Sequence, residues 1–144
     1  MQKQFLVLVE DRQDDIDLTL RALKKNNIVN EVVVLHDGIE ALDFFFATGK
    51  YAGRNLDERP AVILLDIKLP KVDGLEVLKH LRASEQTKFI PVVILTSSKE
   101  ERDVINGYQL GCNSYVCKPI DFNEFSEVVK NMGLYWLLLN EPTP

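Results

Sequence analysis

The stretch Ala61-Val-Ile-Leu-Leu-Asp66-Ile-Lys-Leu-Pro70-Lys-Val-Asp-Gly74 decides how the rest of the chain is read. Five apolar residues, 61–65, end abruptly in an acid. Pro70 follows four residues later, and Gly74 opens a segment with helical spacing. An apolar run this short, rich in branched side chains and bounded by turn chemistry, reads as a strand buried on both faces. Asp66 then stands at the strand's C-terminal end, where ligands and chemistry gather in open α/β sheets. A carboxylate in that position is costly to desolvate unless a cation, hydrogen bonds or solvent offset the loss.

Outward from this strand the same alternation repeats. Before it, Phe5–Val9 is a buried strand that also ends in acids, Glu10-Asp11. Ile16, Leu20 and Leu23 follow at helical spacing, with Asp14 or Asp15 as N-cap and Asn26-Asn27 as the stop. Val32–Leu35 is a second strand, and Gly38 precedes a helix whose apolar face is Ile39, Leu42 and Phe46. Residues 47–60 mix Gly, charge and Pro and read as a long exposed loop with a contact role. After Gly74, Leu75, Leu78 and Leu81 mark a third helix, and Pro91–Leu95 a fourth strand that ends in Thr96-Ser97-Ser98. A helix from about Lys99 carries Val104 and Tyr108 on one face and stops at Gly111. Ser114–Val116 is a short fifth strand leading to Lys118-Pro119, and Asp121 caps a last helix bearing Phe122, Phe125, Val129 and Met132.

Five strands alternating with five helices specify one doubly wound α/β domain, 1–144, with a parallel sheet and a C-terminal helical extension at 133–144. The strand orders available include the flavodoxin-like 2-1-3-4-5, whose switch point lies between strands 1 and 3. In that order Glu10 and Asp11 stand beside Asp66, with Thr96 and Lys118 on its other side.

The composition sets bounds on function. With 144 residues, 46% of them hydrophobic and 27% charged, the chain is long enough to bury a core and is not compositionally disordered. A net charge of −5 argues against direct binding to nucleic acid. Cys112 and Cys117 lack zinc-type spacing and read as reduced thiols. The first apolar run is too short for a signal peptide, and none is long enough to cross a bilayer, so a soluble cytoplasmic protein is expected.

Three crowded carboxylates repel unless a cation compensates. Oxygen ligands without a nearby His or Cys suit a hard ion such as Mg²⁺, and the hydroxyl of Thr96 and ammonium of Lys118 are donors for an anion. A metal, a carboxylate nucleophile and two oxyanion donors are the parts of phosphoryl transfer onto Asp66. His36 and His80 lie away from this rim and are expected at solvent or the sheet edge.

The set Glu10-Asp11, Asp66, Thr96, Tyr115 and Lys118-Pro119 resembles the two-component response-regulator receiver domain, over essentially the whole chain. The resemblance implies that Asp66 accepts a phosphoryl group from the phosphohistidine of a sensor histidine kinase. It implies that Glu10, Asp11, Asp66 and the backbone carbonyl of Lys68 surround Mg²⁺, and that Thr96 and Lys118 contact the phosphoryl oxygens. Tyr115 would report the state, Lys118-Pro119 would be a cis peptide, and Lys68 and Ser98 would flank the path of the attacking water and tune the lifetime. Where the family usually has two aspartates, this chain has Glu10-Asp11, one methylene longer at the first position. The stretches 113–121 and 133–142 further resemble the stand-alone regulators that partner with bacterial phytochromes.

Two rival readings compete with this one. A phosphatase of the haloacid dehalogenase type also phosphorylates a strand-end Asp, but it needs a second Asp two residues on, where this chain has Lys68. A receiver-shaped interaction module that works without phosphorylation is the other alternative. Finally, Gly133–Leu139 abandons the single apolar stripe of the preceding helix, so Tyr135, Trp136 and Leu137 are expected to be buried in a homodimer.

Overall fold

The computed structural model describes residues 4–118, 121–140 and 142. The elements in chain order are β1 (Phe5–Val9), α1 (Gln13–Lys25), β2 (Glu31–Leu35), α2 (Gly38–Phe46), β3 (Val62–Leu65), α3 (Gly74–Ala83), β4 (Val92–Thr96), α4 (Glu101–Gln109), β5 (Ser114–Cys117) and α5 (Phe122–Gly133). The five strands pair in parallel in the order β2-β1-β3-β4-β5, the flavodoxin-like arrangement expected from the sequence. The order puts β3 at the centre, where a strand must be apolar on both faces, and all four of its residues are buried.

The two-residue period of the strands sorts the core into two layers. Val7, Val9, Ile63, Leu65, Val92 and Ile94 face the layer filled by α2 and α3, with Phe45, Val77, Leu78 and Leu81 among its fully buried members. Leu6, Leu8, Val62, Leu64, Val93 and Leu95 face the layer filled by α1 and α5, through Ile16, Leu23, Phe125 and Val129. The helix α4 lies against Ile94 and Tyr115 at Gly107, where a Cβ would come within 2.9 Å of the Ile94 side chain.

Several element-level expectations need correction. Asp14 and Asp15 do not cap α1. Arg12 is the N-cap, and both acids lie in the first turn, where they favour the helix dipole. Leu20, Ile39 and Tyr108 are exposed, so the apolar faces assigned to α1, α2 and α4 were each partly misplaced. The face that α2 buries is Ala41, Phe44 and Phe45, and α4 buries Asp103 and Gly107. Phe-rich α2 offers apolar residues all round, and α4 buries a polar residue and a glycine, so hydrophobic spacing picks neither face. Ala61 and Pro91 precede their strands.

The loop 47–60 is more ordered than its composition suggests. It holds a 3₁₀ turn at Gly49–Tyr51, and the Arg54 guanidinium donates to the carbonyls of Phe44 (2.7 Å) and Glu58 (3.0 Å) while lying over the Phe44 ring. At the other end of the chain α5 runs on into a π-helical turn, Leu134–Leu139. Trp136 and Leu137 are half-buried against the α1/α5 layer, whereas Tyr135 is 49% exposed and stands edge-on to Trp136. Of the three residues expected between subunits, two therefore already have partners within their own domain. Among the described residues no helix is long and apolar enough to cross a membrane.

Candidate functional site

The sheet itself aligns the acids. Beyond the last residue of β1, the Glu10 amide donates to Leu35 O at 2.9 Å. Beyond the last residue of β3, the Asp66 amide donates to Val9 O at 3.1 Å. Each ladder thus runs one residue past the apolar strand, and the first polar residue of each strand end is fixed beside its neighbour. Asp66 is then held by a tight turn. The Gly74 amide donates to Ile67 O at 2.8 Å, and a Cβ on Gly74 would stand 2.0 Å from the Asp66 carbonyl oxygen, so only glycine fits. In the same turn Lys71 adopts φ +69°, and its ammonium lies 3.4 Å from Asp37.

Glu10 is 2% exposed, Asp66 6% and Thr96 0%, while Asp11 is exposed at the mouth. Carboxylate oxygens of Glu10, Asp11 and Asp66 all lie within 4.8 Å of one another. The ammonium of Lys118, following β5, reaches across the sheet end to hydrogen-bond Glu10, and it lies 3.2 Å from Asp66 Oδ2 and 3.2 Å from Asp15 Oδ2. The Lys68 amide donates to Asp66 Oδ1 at 3.3 Å. Burial raises the Glu10 carboxyl to about 7; the hydrogen bond from Lys118 opposes the rise and the charge of Asp66 adds to it. For Lys118 burial works against the charge, but the hydrogen bond to Glu10 and the charges of Asp66, Glu10 and Asp15 outweigh it, and its pKa is raised.

The Lys118 ammonium and the exposed Arg12 guanidinium, 3.8 Å from Asp15, stand against four carboxyl groups, so the site is short of positive charge when all four are ionised. The donor set is all oxygen, and the two acids deepest in it are nine-tenths or more buried. These residues fit a hard divalent cation that retains waters. Among the described residues this is the group of acidic side chains close enough to share an ion.

Thr96 and Tyr115, the residues expected to form a switch, lie next to it. The Tyr115 hydroxyl donates to Ser98 O at 3.0 Å, and burial raises its pKa. The Ser98 amide donates to Thr96 Oγ1 at 3.4 Å, and Ser98 Oγ donates to Asp103 Oδ2 at 2.6 Å. Lys68, the other residue expected to tune the lifetime, places its ammonium 3.7 Å from the same Asp103 oxygen. His36 and His80 are exposed and outside the cluster, and both cysteines are free thiols. The expected cis peptide at Lys118-Pro119 lies outside the described residues. Sequence reading missed Asp15 and Asp103 as members of the site. Asp15 had no signal as a site member, because an acid in the first turn of a helix reads as a cap or dipole partner. Asp103 had no signal, because an acid inside a helix reads as solvent-facing.

Comparison with known proteins agrees with this geometry. Residues 6–130 match the response regulator receiver domain model. The response regulator Rcp1 of Synechocystis sp. is 39% identical over 132 residues, 92% of this chain and 88% of Rcp1. The structure of the Mn²⁺-bound form of Rcp1 superposes with a TM-score of 0.88 at 36% identity, covering 98% of this chain and 99% of that one. The phosphorylated cyanobacterial phytochrome response regulator RcpA gives a TM-score of 0.90 at 36% identity, over 99% of this chain and 100% of its own. The bacteriophytochrome response regulator AtBRR is 50% identical with a TM-score of 0.78, over 98% of this chain and 100% of its own. With its sheet order, its acidic strand ends and these matches along nearly its full length, this chain belongs to the response regulator receiver domain family.

Proposed function

We propose that this chain is a phosphoacceptor signalling protein in which Asp66 takes a phosphoryl group from the phosphohistidine of a sensor kinase. The observation that carries the reading is the placement of one buried carboxylate, Asp66, between a lysine ammonium and two further acids at the end of the central strand. In the transfer, an Asp66 oxygen attacks phosphorus, the phosphorus–nitrogen bond breaks, and the imidazole keeps the electron pair. Lys118 stands where negative charge accumulates on the transferring group, and Thr96 supplies a short hydroxyl beside it. Glu10, Asp11, Asp66 and the Lys68 carbonyl would hold Mg²⁺, whose charge offsets that of the phosphoryl oxygens. The chain's own further chemistry is limited to hydrolysis of the acyl phosphate it has formed.

Phytochrome-type histidine kinases are the partners that the relatives' names favour. A cytoplasmic location follows from taking phosphate from such a kinase. Output passes by Tyr115 and the β4–α4 loop to a protein partner, a two-state element biased by local charge. We further propose a homodimer through the C-terminal turn, with Tyr135 as its exposed contact and Trp136 and Leu137 shared between the domain core and the interface. Sedimentation equilibrium tests it, and a chain that stays monomeric at high micromolar concentration, phosphorylated or not, rejects the dimer.

Mass spectrometry after incubation with acetyl phosphate and Mg²⁺ tests the main reading. One added phosphoryl group is expected in the parent chain, and none in Asp66→Asn or in excess EDTA. Labelling that survives either change would falsify the assignment.

A further inference from the structure

The buried acid of α4 has no place in the transfer itself. Asp103 is 6% exposed, an unusual setting for a carboxylate on a helix that otherwise turns its polar residues to solvent. Its Oδ2 atom serves two groups at once. Ser98 Oγ donates to it at 2.6 Å, and the Lys68 ammonium stands 3.7 Å away. Both come from loops that follow site residues, Lys68 two positions after Asp66 and Ser98 two after Thr96. Ser98 in turn contacts Thr96 through its amide and accepts from the Tyr115 hydroxyl through its carbonyl. One carboxylate therefore joins the loop after β3, the loop after β4 and, through Ser98, the ring of Tyr115. Lys68 is otherwise free to move, its side chain being 64% exposed.

We propose that Asp103 is a positioning residue that sets the lifetime of the phosphoryl group, by holding Lys68 and Ser98 in the unphosphorylated arrangement and competing with the phosphoryl oxygens for Lys68. The inference rests on phosphorylation of Asp66. In the hydrolysis that ends the signal, a water oxygen attacks phosphorus and the bond from phosphorus to the Asp66 oxygen breaks. The carboxylate keeps the electron pair, one water hydrogen stays on orthophosphate, and the other leaves to solvent. A long ammonium lying over the phosphoryl group obstructs that water, and an ammonium held on Asp103 does not. Ser98 is too short to obstruct it from either arrangement.

The test compares loss of the phosphoryl group, followed by intact mass after removal of donor, in the parent chain, Asp103→Asn, Lys68→Ala and the double variant. Asparagine keeps an oxygen acceptor for Ser98 but not the charge that holds Lys68. Asp103→Asn is expected to slow the loss by about two- to fivefold at low salt, the range of a partly exposed ion pair, and the difference should vanish in the Lys68→Ala background. Equal rates in Asp103→Asn and the parent chain, or a difference that persists without Lys68, overturn the proposal, since a merely structural role would not depend on Lys68. A parent chain that takes up no phosphoryl group defeats the functional reading instead. The positioning is then decided in untreated protein by NMR. The Tyr115 ring and Lys68 side-chain resonances are expected to shift in Asp103→Ala, with Ser98→Ala reproducing the Tyr115 change. Unmoved resonances in a folded Asp103→Ala overturn it.

Discussion

Lys118 stands on the carboxylates that a metal ion would take. Its ammonium hydrogen-bonds Glu10 and lies 3.2 Å from Asp66, so a dication must displace it from both. Lys118→Ala is therefore expected to tighten Mg²⁺ binding by about tenfold, the equivalent of one charge-assisted hydrogen bond of roughly 1.5 kcal/mol. Calorimetric titration reads this directly, and weaker or unchanged binding counts against shared occupancy. The same variant should abolish the spectral response of β4 and β5 to beryllofluoride. At this scale the sequence was most informative. Glu10, Asp11, Asp66, Thr96 and Lys118 all stand where an apolar run stops, and a strand end is readable without coordinates. Asp15 and Asp103 were not legible as site members, because their contacts depend on how α1 and α4 roll against the sheet, which no local pattern states.

Helix ends carry the next level of specificity. The Asp37 side chain accepts from the Glu40 amide at 2.7 Å and caps α2. That hydrogen bond, more than the Lys71 ammonium beside it, holds its carboxyl below the usual aspartate value of 3.8 despite partial burial. A pKa lowered by folding contributes stability that is full above 3.8 and is lost as pH falls through the lower folded value. Asp37→Ala should thus destabilise the domain by about 1 kcal/mol at neutral pH, with the deficit shrinking in acid below 3.8. Urea titrations at neutral pH and at lower pH check it, and a pH-independent deficit would contradict the cap. Gly74→Ala acts at the same level but on function. A methyl group 2.0 Å from the Asp66 carbonyl must move the turn, so phosphorylation from acetyl phosphate should slow well beyond what its stability loss of about 1–3 kcal/mol explains. Element types and order were legible from period and turn residues. Faces were legible where the apolar spacing is unambiguous, as for Leu78 and Leu81 of α3 and Phe125 and Val129 of α5, but not throughout α1, α2 and α4, since exposed Leu20, Ile39 and Tyr108 are as apolar as the buried residues near them.

Across the molecule, Arg82 gathers the parts that local pattern leaves unconnected. Its guanidinium donates to Gly111 O at 2.8 Å, Ile90 O at 2.9 Å and Asn113 Oδ1 at 3.0 Å, tying the end of α3 to both loops that enter β4 and β5. Arg82→Ala takes this donor from the Gly111 and Ile90 carbonyls, while Asn113 Oδ1 keeps the Val92 amide at 2.8 Å, and should cost about 2–3 kcal/mol in chemical denaturation; Arg82→Lys should recover only part of it because lysine lacks the fork. A neutral Arg82→Ala would show the clasp to be incidental. The ladder that runs from Val9 O to the Asp66 amide has a consequence for assembly of the chain. A slip of β3 by one residue would exchange its two apolar faces, and a slip by two would pull Asp66 down beside Leu8 of β1 and Val93 of β4 with no cation in reach. Asp66 therefore also proofreads strand registration: misaligned sheets are penalised by the same charge that the aligned sheet presents at its open end, and a population of folded chains contains few with a scrambled site.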